Sequence, residues 1–349
     1  MANLNVENVE LVGVSIAVPK RIVENRDNKN FSEEEIEKFI ETTGVERYRY
    51  GHHCTSDLCF EAAEKLISEL GWDKSEIELL IFVSQTFDYI LPNTAPILQD
   101  RLGLPKTCIS FDMTLGCSGY VYGLSAISSL LNSGKIKKGL LLCGDTPSKI
   151  VNPKDKTSAM LFGDAGSATA IQYKNQAKGM NFNLFSDGSG YKAIMIPDGG
   201  YRNPLSESSF FENTYEDKVI RNNCNLFLDG MDVFSFGITR PPLAVKELLS
   251  NSNISSDEIN YFIFHQANLM MNEMIRKKVK ITSEKVPYSL RNFGNTSSAS
   301  IPMTMVSEIK NELRTRQNNL LLCGFGVGLS WGCCLINTSN LIIPDIIEI

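Results

Sequence analysis

The second half of the chain repeats the apolar pattern of the first half, and this repeat constrains the fold more than any other feature. Residues 81–85 (IFVSQ) return as residues 263–266 (IFHQ), and residues 140–144 (LLLCG) return as residues 320–324 (LLLCG). The glutamines that end the first pair are 181 residues apart, and the cysteines of the second pair are 180 residues apart. Such apolar runs are typical of strands buried on both faces, and here they alternate with helical patterns. The sequence therefore predicts an α/β fold built from two similar halves.

We predict one βαβ-rich half over residues 1–174 and, over residues 175–349, the connecting loops followed by the second half. Residues 174–225 are less periodic and rich in Asn, Ser, Gly and Asp, so we expect them to form mainly surface loops. A pseudo-twofold axis between the halves would bring equivalent strand-to-helix junctions together at the centre of the molecule.

Cys117 lies at one of these junctions, between a strand-like run and a clear helical pattern. Apolar residues recur at helical spacing from residue 121 to 131, and residues 132–134 (NSG) provide the stop signal. Unpaired backbone N–H groups and the macrodipole at a helix N-terminus favour a thiolate, which suits a nucleophile. A small buried apolar side chain is the alternative that this position leaves open.

The repeat places two further polar residues near Cys117. Asn295 falls opposite Cys117 with an offset of 178 residues, and His265, one of three histidines, closes a buried strand pattern. Taken singly, such a histidine is usually a satisfied polar group and such an asparagine a turn or cap residue. Together the three side chains predict a thiol-centred acyl-transfer site, where the amide NH₂ and the imidazole Nε2–H donate to a developing enolate or oxyanion.

Composition narrows the function further. The net charge of -6 and pI near 5.3 argue against nucleic-acid binding. Nine cysteines, an odd number scattered through apolar runs, are typical of a reducing cytosol. With no signal-peptide pattern and no apolar run of membrane-spanning length, we expect a cytoplasmic protein that does not bind membranes. Residues 52–54 (HHC) and Cys59 look like a metal cluster, but adjacent side chains diverge and we expect no metal there.

Four strings in order resemble the β-ketoacyl-acyl-carrier-protein synthase III family. They are residues 162–167 (FGDAGS), 265–268 (HQAN), 294–302 (GNTSSASIP) and 324–332 (GFGVGLSWG). The resemblance extends from about residue 8 to residue 336. It implies a thiolase-like fold with two five-stranded sheets in an α-β-α-β-α arrangement, assembled as a homodimer. It also implies a role in fatty acid or specialised acyl biosynthesis with no cofactor, the substrates being acyl thioesters of coenzyme A or of acyl carrier protein.

The resemblance also implies a ping-pong decarboxylative Claisen condensation. Cys117 would accept a starter acyl group, while His265 and Asn295 would polarise the thioester carbonyl of malonyl-acyl carrier protein. The backbone N–H groups of Cys117 and Val327 would form the oxyanion hole, and Phe325 would pack beside the thiol. The other implied sites are pantetheine binding by Asn268, Phe234 and Lys156, an acyl tunnel at Phe87 and Leu91, and carrier-protein docking by Arg276, Lys277 and Lys278.

This sequence departs from the family at the positions that hold coenzyme A. Lys38 and Thr42 stand where the family has a Trp and an Arg around the adenine, Lys156 replaces a second Arg, and Met231 replaces an Asn. We therefore expect the starter to arrive on a carrier protein or to be an unusual acyl group. An acyltransferase that passes the Cys117-bound acyl group to an oxygen or nitrogen acceptor is the alternative. A thiolase is disfavoured because Asn295 occupies its second cysteine position, and an inactive dimer subunit would have lost the nucleophile.

Overall fold

Two mixed sheets form the frame of the molecule, which we describe from a computed structural model covering residues 2–215 and 219–349. The strands are β1 (Ala2–Val6), β2 (Val9–Val18), β3 (Ile22–Glu24), β4 (Arg47–Arg49), β5 (Leu79–Val83), β6 (Ile109–Met113), β7 (Lys138–Asp145), β8 (Ala165–Tyr173), β9 (Met180–Ser186), β10 (Ile194–Met195), β11 (Asn213–Thr214), β12 (Ile220–Arg221), β13 (Phe227–Leu228), β14 (Tyr261–Phe264), β15 (Gln317–Gly326), β16 (Ser330–Ser339) and β17 (Ile347–Glu348). The helices are α1 (Glu33–Thr43), α2 (Thr55–Leu70), α3 (Thr94–Arg101), α4 (Gly119–Leu131), α5 (Gly230–Asn251), α6 (Leu269–Val279), α7 (Leu290–Phe293), α8 (Ser300–Glu308) and α9 (Lys310–Thr315).

The two sheets share one pattern of strand directions, which confirms the predicted duplication. The larger sheet has the order β17-β2-β8-β7-β5-β6, and the smaller has the order β1-β9-β16-β15-β14. β5 pairs parallel with β7, as β14 does with β15, and the next two pairings are antiparallel in both sheets. The larger sheet has six strands rather than the expected five because the two-residue β17 pairs with β2 at its edge.

The terminal strands lie in the opposite sheets. β1 pairs with β9 in the smaller sheet, and β17 pairs with β2 in the larger sheet. The first and last strands therefore tie the two halves together. The division into residues 1–174 and 175–349 remains a prediction about the repeat units.

Helices α4 and α8 pack between the two sheets and complete the α-β-α-β-α arrangement. Helices α2 and α3 cover the outer face of the larger sheet, and α5 covers the outer face of the smaller sheet. In α4, Val121, Leu124 and Ile127 are fully buried, and burial of each such side chain stabilises the fold by about 1.5–3 kcal/mol. Gly123 allows the close approach of α4 to β7, since a Cβ there would lie 2.7 Å from Leu141 Cδ1.

Strand β9 corrects the prediction that residues 174–225 are mainly loops. It runs in the interior of the smaller sheet between β1 and β16. Its sequence alternates apolar residues with asparagines, which hides the strand signal. Asn183 is fully buried, but its amide donates to Ala244 O (2.8 Å) and accepts from Cys333 N (3.1 Å). These bonds satisfy the polar group and make the strand compatible with the core.

Over the described residues, no helix combines the length and the apolar character needed to cross a membrane.

Candidate active site

One cavity opens at the carboxyl ends of the central strands, and the three predicted catalytic side chains lie in its lining. Cys117 follows β6, His265 follows β14, and Asn295 precedes a short 3₁₀ turn that leads into α8. The remaining lining is mainly apolar and comes from both halves of the chain. The duplicated junctions therefore converge as the repeat predicts.

Cys117 is half-buried just before the first turn of α4. Its sulfur lies 3.9 Å from the Ser297 hydroxyl, and the backbone N–H groups of Val327 and of Cys117 itself act to lower the pKa of the thiol. Backbone N–H groups are the donors that the oxyanion of a sulfur-bound acyl group requires, and this role for Cys117 and Val327 stays a prediction. Gly326 is required next to the thiol, because a Cβ there would lie 2.6 Å from Cys117 Cβ and 3.0 Å from the sulfur.

The resting form of Cys117 differs from the expectation of a thiolate. Burial raises the pKa of the Cys117 thiol to about 11, which outweighs the opposing hydrogen bonds from Ser297 and the two backbone N–H groups. The negative charge of Asp145 raises this pKa further. Burial therefore keeps the free enzyme as a thiol at neutral pH, although the backbone N–H groups favour the thiolate as expected.

His265 is buried and neutral. Its Nδ1 lies 2.7 Å from the Ser300 hydroxyl, and its ring packs edge-on against Phe325 with 5.4 Å between centroids. Burial lowers the pKa of His265 to about 3, although a hydrogen bond to the backbone of Ser297 opposes this shift. At neutral pH the imidazole can therefore act as a hydrogen-bond donor or acceptor, but not as a cation.

Asn295 is held at both its backbone and its side chain. Its backbone pairs with Leu161 and Gly163, which joins the second half to the first. Its Oδ1 accepts from Ser297 N at 2.9 Å. Because the oxygen is engaged there, the NH₂ group is the part of the amide left to bind a substrate carbonyl.

The other predicted site residues divide into two groups. Phe325, Val327, Phe234 and Asn268 line the cavity, and Asn268 also caps α6 by accepting from Met271 N at 2.8 Å. Lys156, Phe87 and Leu91 lie outside the described lining of this chain's cavity.

The predicted docking cluster is partly neutralised. Arg276 donates to both carboxylate oxygens of Glu273 (2.8 and 2.7 Å) and to Ile281 O (2.7 Å), so its charge is used within the fold. Lys278 donates to Ile238 O at 2.8 Å but is exposed, as is Lys277. Of the predicted trio, Lys277 and Lys278 are exposed without an ion pair in the described part of the chain, and carrier-protein docking by the three residues stays a prediction.

Sequence analysis missed three polar groups at this site: Asp145, Ser297 and Ser300. Ser297 and Ser300 lie in a string already noted for its resemblance, but only the fold shows that they contact Cys117 and His265. The signal for Asp145 was a carboxylate directly after a fully apolar strand pattern, where a charge is costly to bury. Among the described residues, no group of three or more His, Cys, Asp or Glu side chains could hold a metal ion.

Comparison with known proteins identifies the family. The family model described as 3-oxoacyl-[acyl-carrier-protein] synthase III matches residues 111–188, and the model of its C-terminal part matches residues 249–338. The β-ketoacyl-[acyl-carrier-protein] synthase III of Clostridium perfringens SM101 is 34% identical over 332 residues, covering 95% of this chain and 99% of that protein. A putative 3-oxoacyl-[acyl-carrier-protein] synthase 3 of Campylobacter jejuni is 34% identical, covering 84% of this chain and 82% of that protein.

A solved structure agrees with this assignment. The 3-oxoacyl-(acyl-carrier protein) synthase of Burkholderia xenovorans LB400 superimposes with a TM-score of 0.94 at 36% identity, covering 100% of this chain and 99% of that chain. The agreement extends over both sheets and the central helices. The chain therefore belongs to the β-ketoacyl-acyl-carrier-protein synthase III family of acyltransferases.

Proposed function

We propose that this chain condenses a Cys117-bound starter acyl group with malonyl-acyl carrier protein, releasing carbon dioxide and forming a β-ketoacyl thioester. The observation that carries the proposal is the convergence of a thiol, a neutral imidazole and an amide NH₂ in one cavity, with two backbone N–H groups at the sulfur. Family membership supports the same reaction.

The first half-reaction loads the thiol. The Cys117 sulfur attacks the carbonyl of the starter thioester, and the N–H groups of Cys117 and Val327 bind the oxyanion of the tetrahedral intermediate. The carbon–sulfur bond to the carrier then breaks. The departing sulfur takes the proton that Cys117 gives up, so the products are acyl-Cys117 and a free carrier thiol.

The second half-reaction forms the carbon nucleophile and the new bond. His265 and Asn295 donate to the thioester carbonyl of the malonyl group, which becomes an enolate as the carboxylate leaves as carbon dioxide. The enolate carbon attacks the acyl-Cys117 carbonyl, and collapse of the intermediate expels the Cys117 sulfur. That sulfur regains a proton from water. A neutral His265 suits this step because it donates a hydrogen bond without requiring protonation.

We propose that the starter also arrives on a carrier protein. Lys38, at a position where the family holds adenine, is exposed, and Met231, where the family has an Asn that reaches the pantetheine, is 84% exposed. No Lys or Arg is part of the described cavity lining. Lys277 and Lys278 offer exposed positive charge in the last turn of α6, the helix that Asn268 caps at its other end, and acidic carrier proteins would dock there.

We further propose that the enzyme is a cytoplasmic homodimer. Phe87, Tyr89, Ile90 and Leu91 follow β5 on one loop and are 42%, 61%, 65% and 77% exposed. Such an apolar patch favours a subunit interface, where Phe87 and Leu91 would meet the acyl tunnel of the partner. All nine cysteines carry free thiols, which supports a reducing compartment.

The test of the proposed condensation measures released carbon dioxide and the β-ketoacyl product in the same reaction. Purified enzyme, a panel of starter thioesters and malonyl-acyl carrier protein should yield one carbon dioxide per β-ketoacyl carrier. His265→Ala and Asn295→Ala should still form acyl-Cys117 but lose decarboxylation, since both side chains act in the second half-reaction. Acyl transfer to an oxygen or nitrogen acceptor without carbon dioxide would replace the proposal with the non-condensing acyltransferase.

A further inference from the structure

Asp145 is a buried carboxylate that the reaction described above does not use. It ends β7, is 2% exposed and lies in the wall of the catalytic cavity. Among the described residues no cation pairs with it at salt-bridge distance. A buried charge without a counter-ion is expensive unless hydrogen bonds satisfy it.

The two carboxylate oxygens of Asp145 accept hydrogen bonds from different halves of the chain. Oδ1 accepts from Gln85 N (2.8 Å), Ser84 Oγ (3.1 Å) and Thr86 Oγ1 (3.2 Å), all on the loop after β5. Oδ2 accepts from Ser298 Oγ (2.8 Å) and Ser298 N (3.2 Å), in the turn that precedes α8. The carboxylate thus links the loop after β5, in the first half of the chain, to the turn before α8, in the second half.

The turn formed by residues 297–300, which is hydrogen-bonded to Asp145 through Ser298, contacts all three catalytic side chains. Ser297 N donates to Asn295 Oδ1 (2.9 Å), and the Ser297 hydroxyl lies 3.9 Å from the Cys117 sulfur. Ser300 Oγ lies 2.7 Å from His265 Nδ1. Ser297 also holds a strained left-handed backbone conformation with φ 50°, which the surrounding bonds must maintain.

Resting on the condensation proposed above, we propose that Asp145 is a positioning residue for that reaction. Its carboxylate fixes residues 297–300 against the first half, so that the Asn295 amide and the His265 imidazole face acyl-Cys117. Asparagine cannot replace it, because each carboxylate oxygen faces a backbone N–H and an amide NH₂ would confront one of them.

Asp145 also acts on the thiol through its charge. It raises the pKa of Cys117, and the other titratable group facing the thiol in this cavity, His265, is neutral. Behind Asp145 lie the Cys143 and Cys59 thiols, whose pKa values burial raises, so they carry no compensating charge. Removing the Asp145 charge should therefore make Cys117 easier to ionise while the catalytic geometry is lost.

The experiment compares Asp145→Asn with wild type in two assays. The kcat for condensation should fall on the order of a hundredfold, as for a misplaced catalytic group, with KM for malonyl-acyl carrier protein unchanged. Alkylation of Cys117 by iodoacetamide at pH 8 should instead become faster, by about tenfold for each unit by which the thiol pKa falls. Asp112→Asn is the matched control, because Asp112 lies near the end of β6, on the far side of β5 from β7, and within the described structure its carboxylate accepts only from Thr94 N and Ala95 N.

A second variant separates position from charge. Ser298→Ala removes one bond to Asp145 but keeps the carboxylate, so it should lower kcat without moving the pH profile of alkylation. Parallel loss of kcat and alkylation in Asp145→Asn, or unchanged kcat in a folded variant, would overturn the positioning role. Absence of condensation by wild type would instead defeat the proposed function, so the two failures are distinguishable.

Discussion

Substituting His265 by glutamine should change how the stability of the fold depends on pH. Burial lowers the pKa of His265 to about 3 from its ordinary value of 6.5. Between these values the unfolded chain binds a proton at this position and the folded chain does not. The wild-type protein therefore loses stability as pH falls through 6.5, and this loss continues down to about pH 3.

The magnitude follows from the distance between pH and the unfolded pKa. At pH 4.5 that distance is about two units, which corresponds to about 3 kcal/mol at roughly 1.4 kcal/mol per unit. His265→Gln has no proton to gain in the unfolded chain. The stability of the variant relative to wild type should therefore improve by about 3 kcal/mol between pH 7.5 and pH 4.5, whatever its starting value.

Urea unfolding followed by the fluorescence of Trp72 and Trp331 measures this difference at both pH values. The exposed His52, substituted by glutamine in the same way, controls for loss of one imidazole. If the free energy of unfolding changes with pH in the same way for wild type and His265→Gln, His265 is not buried as a neutral group. The role assigned to it in the second half-reaction would then fail.

Three further outcomes are expected. Gly326→Ala should abolish acylation of Cys117, measured by intact-protein mass, because the added methyl group would lie 2.6 Å from Cys117 Cβ. Gly188→Ala, where the added methyl group meets open space, should leave acylation intact. Normal acylation of Gly326→Ala would refute the close approach. Iodoacetamide alkylation of Cys117 should rise about tenfold per pH unit from pH 7 to 10, since the thiol pKa is about 11, and a plateau below pH 8 would contradict that value. The double variant Lys277→Glu, Lys278→Glu should raise KM for malonyl-acyl carrier protein several-fold and leave acylation by small thioesters unchanged. The exposed control Lys135→Glu should leave KM unchanged. Equal loss of both activities in the double variant would exclude docking at this site.

The sequence predicted the placement of the catalytic side chains because the repeat encodes it. Strands with equivalent patterns end at equivalent places, so Cys117, His265 and Asn295 had to approach one another once the halves packed together. The fold class followed from the same periodicity. Strand β9 was not predicted, because its apolar residues alternate with asparagines, which are rarely buried. Only the packed sheet supplies the hydrogen-bond partners that satisfy Asn183.

The electrostatics of the site could not be predicted in the same way. The pKa of Cys117 depends on how completely the cavity excludes water, which is a property of the packed fold rather than of the helix that follows it. Asp145 ends a strand in the sequence, but what its two oxygens bind is set by contacts with residues up to 153 positions away. For Arg276 the signal was local, since Glu273 stands three residues earlier on the same helix face.

The most direct measurement isolates acyl-Cys117 and chases it with malonyl-acyl carrier protein labelled with ¹³C in the free carboxylate. The account predicts one labelled carbon dioxide for each acyl group lost from Cys117, and a carrier protein that holds the starter extended by two carbons. Loss of the acyl group without labelled carbon dioxide, or an acyl group that stays on Cys117 while the carrier is decarboxylated, would contradict it.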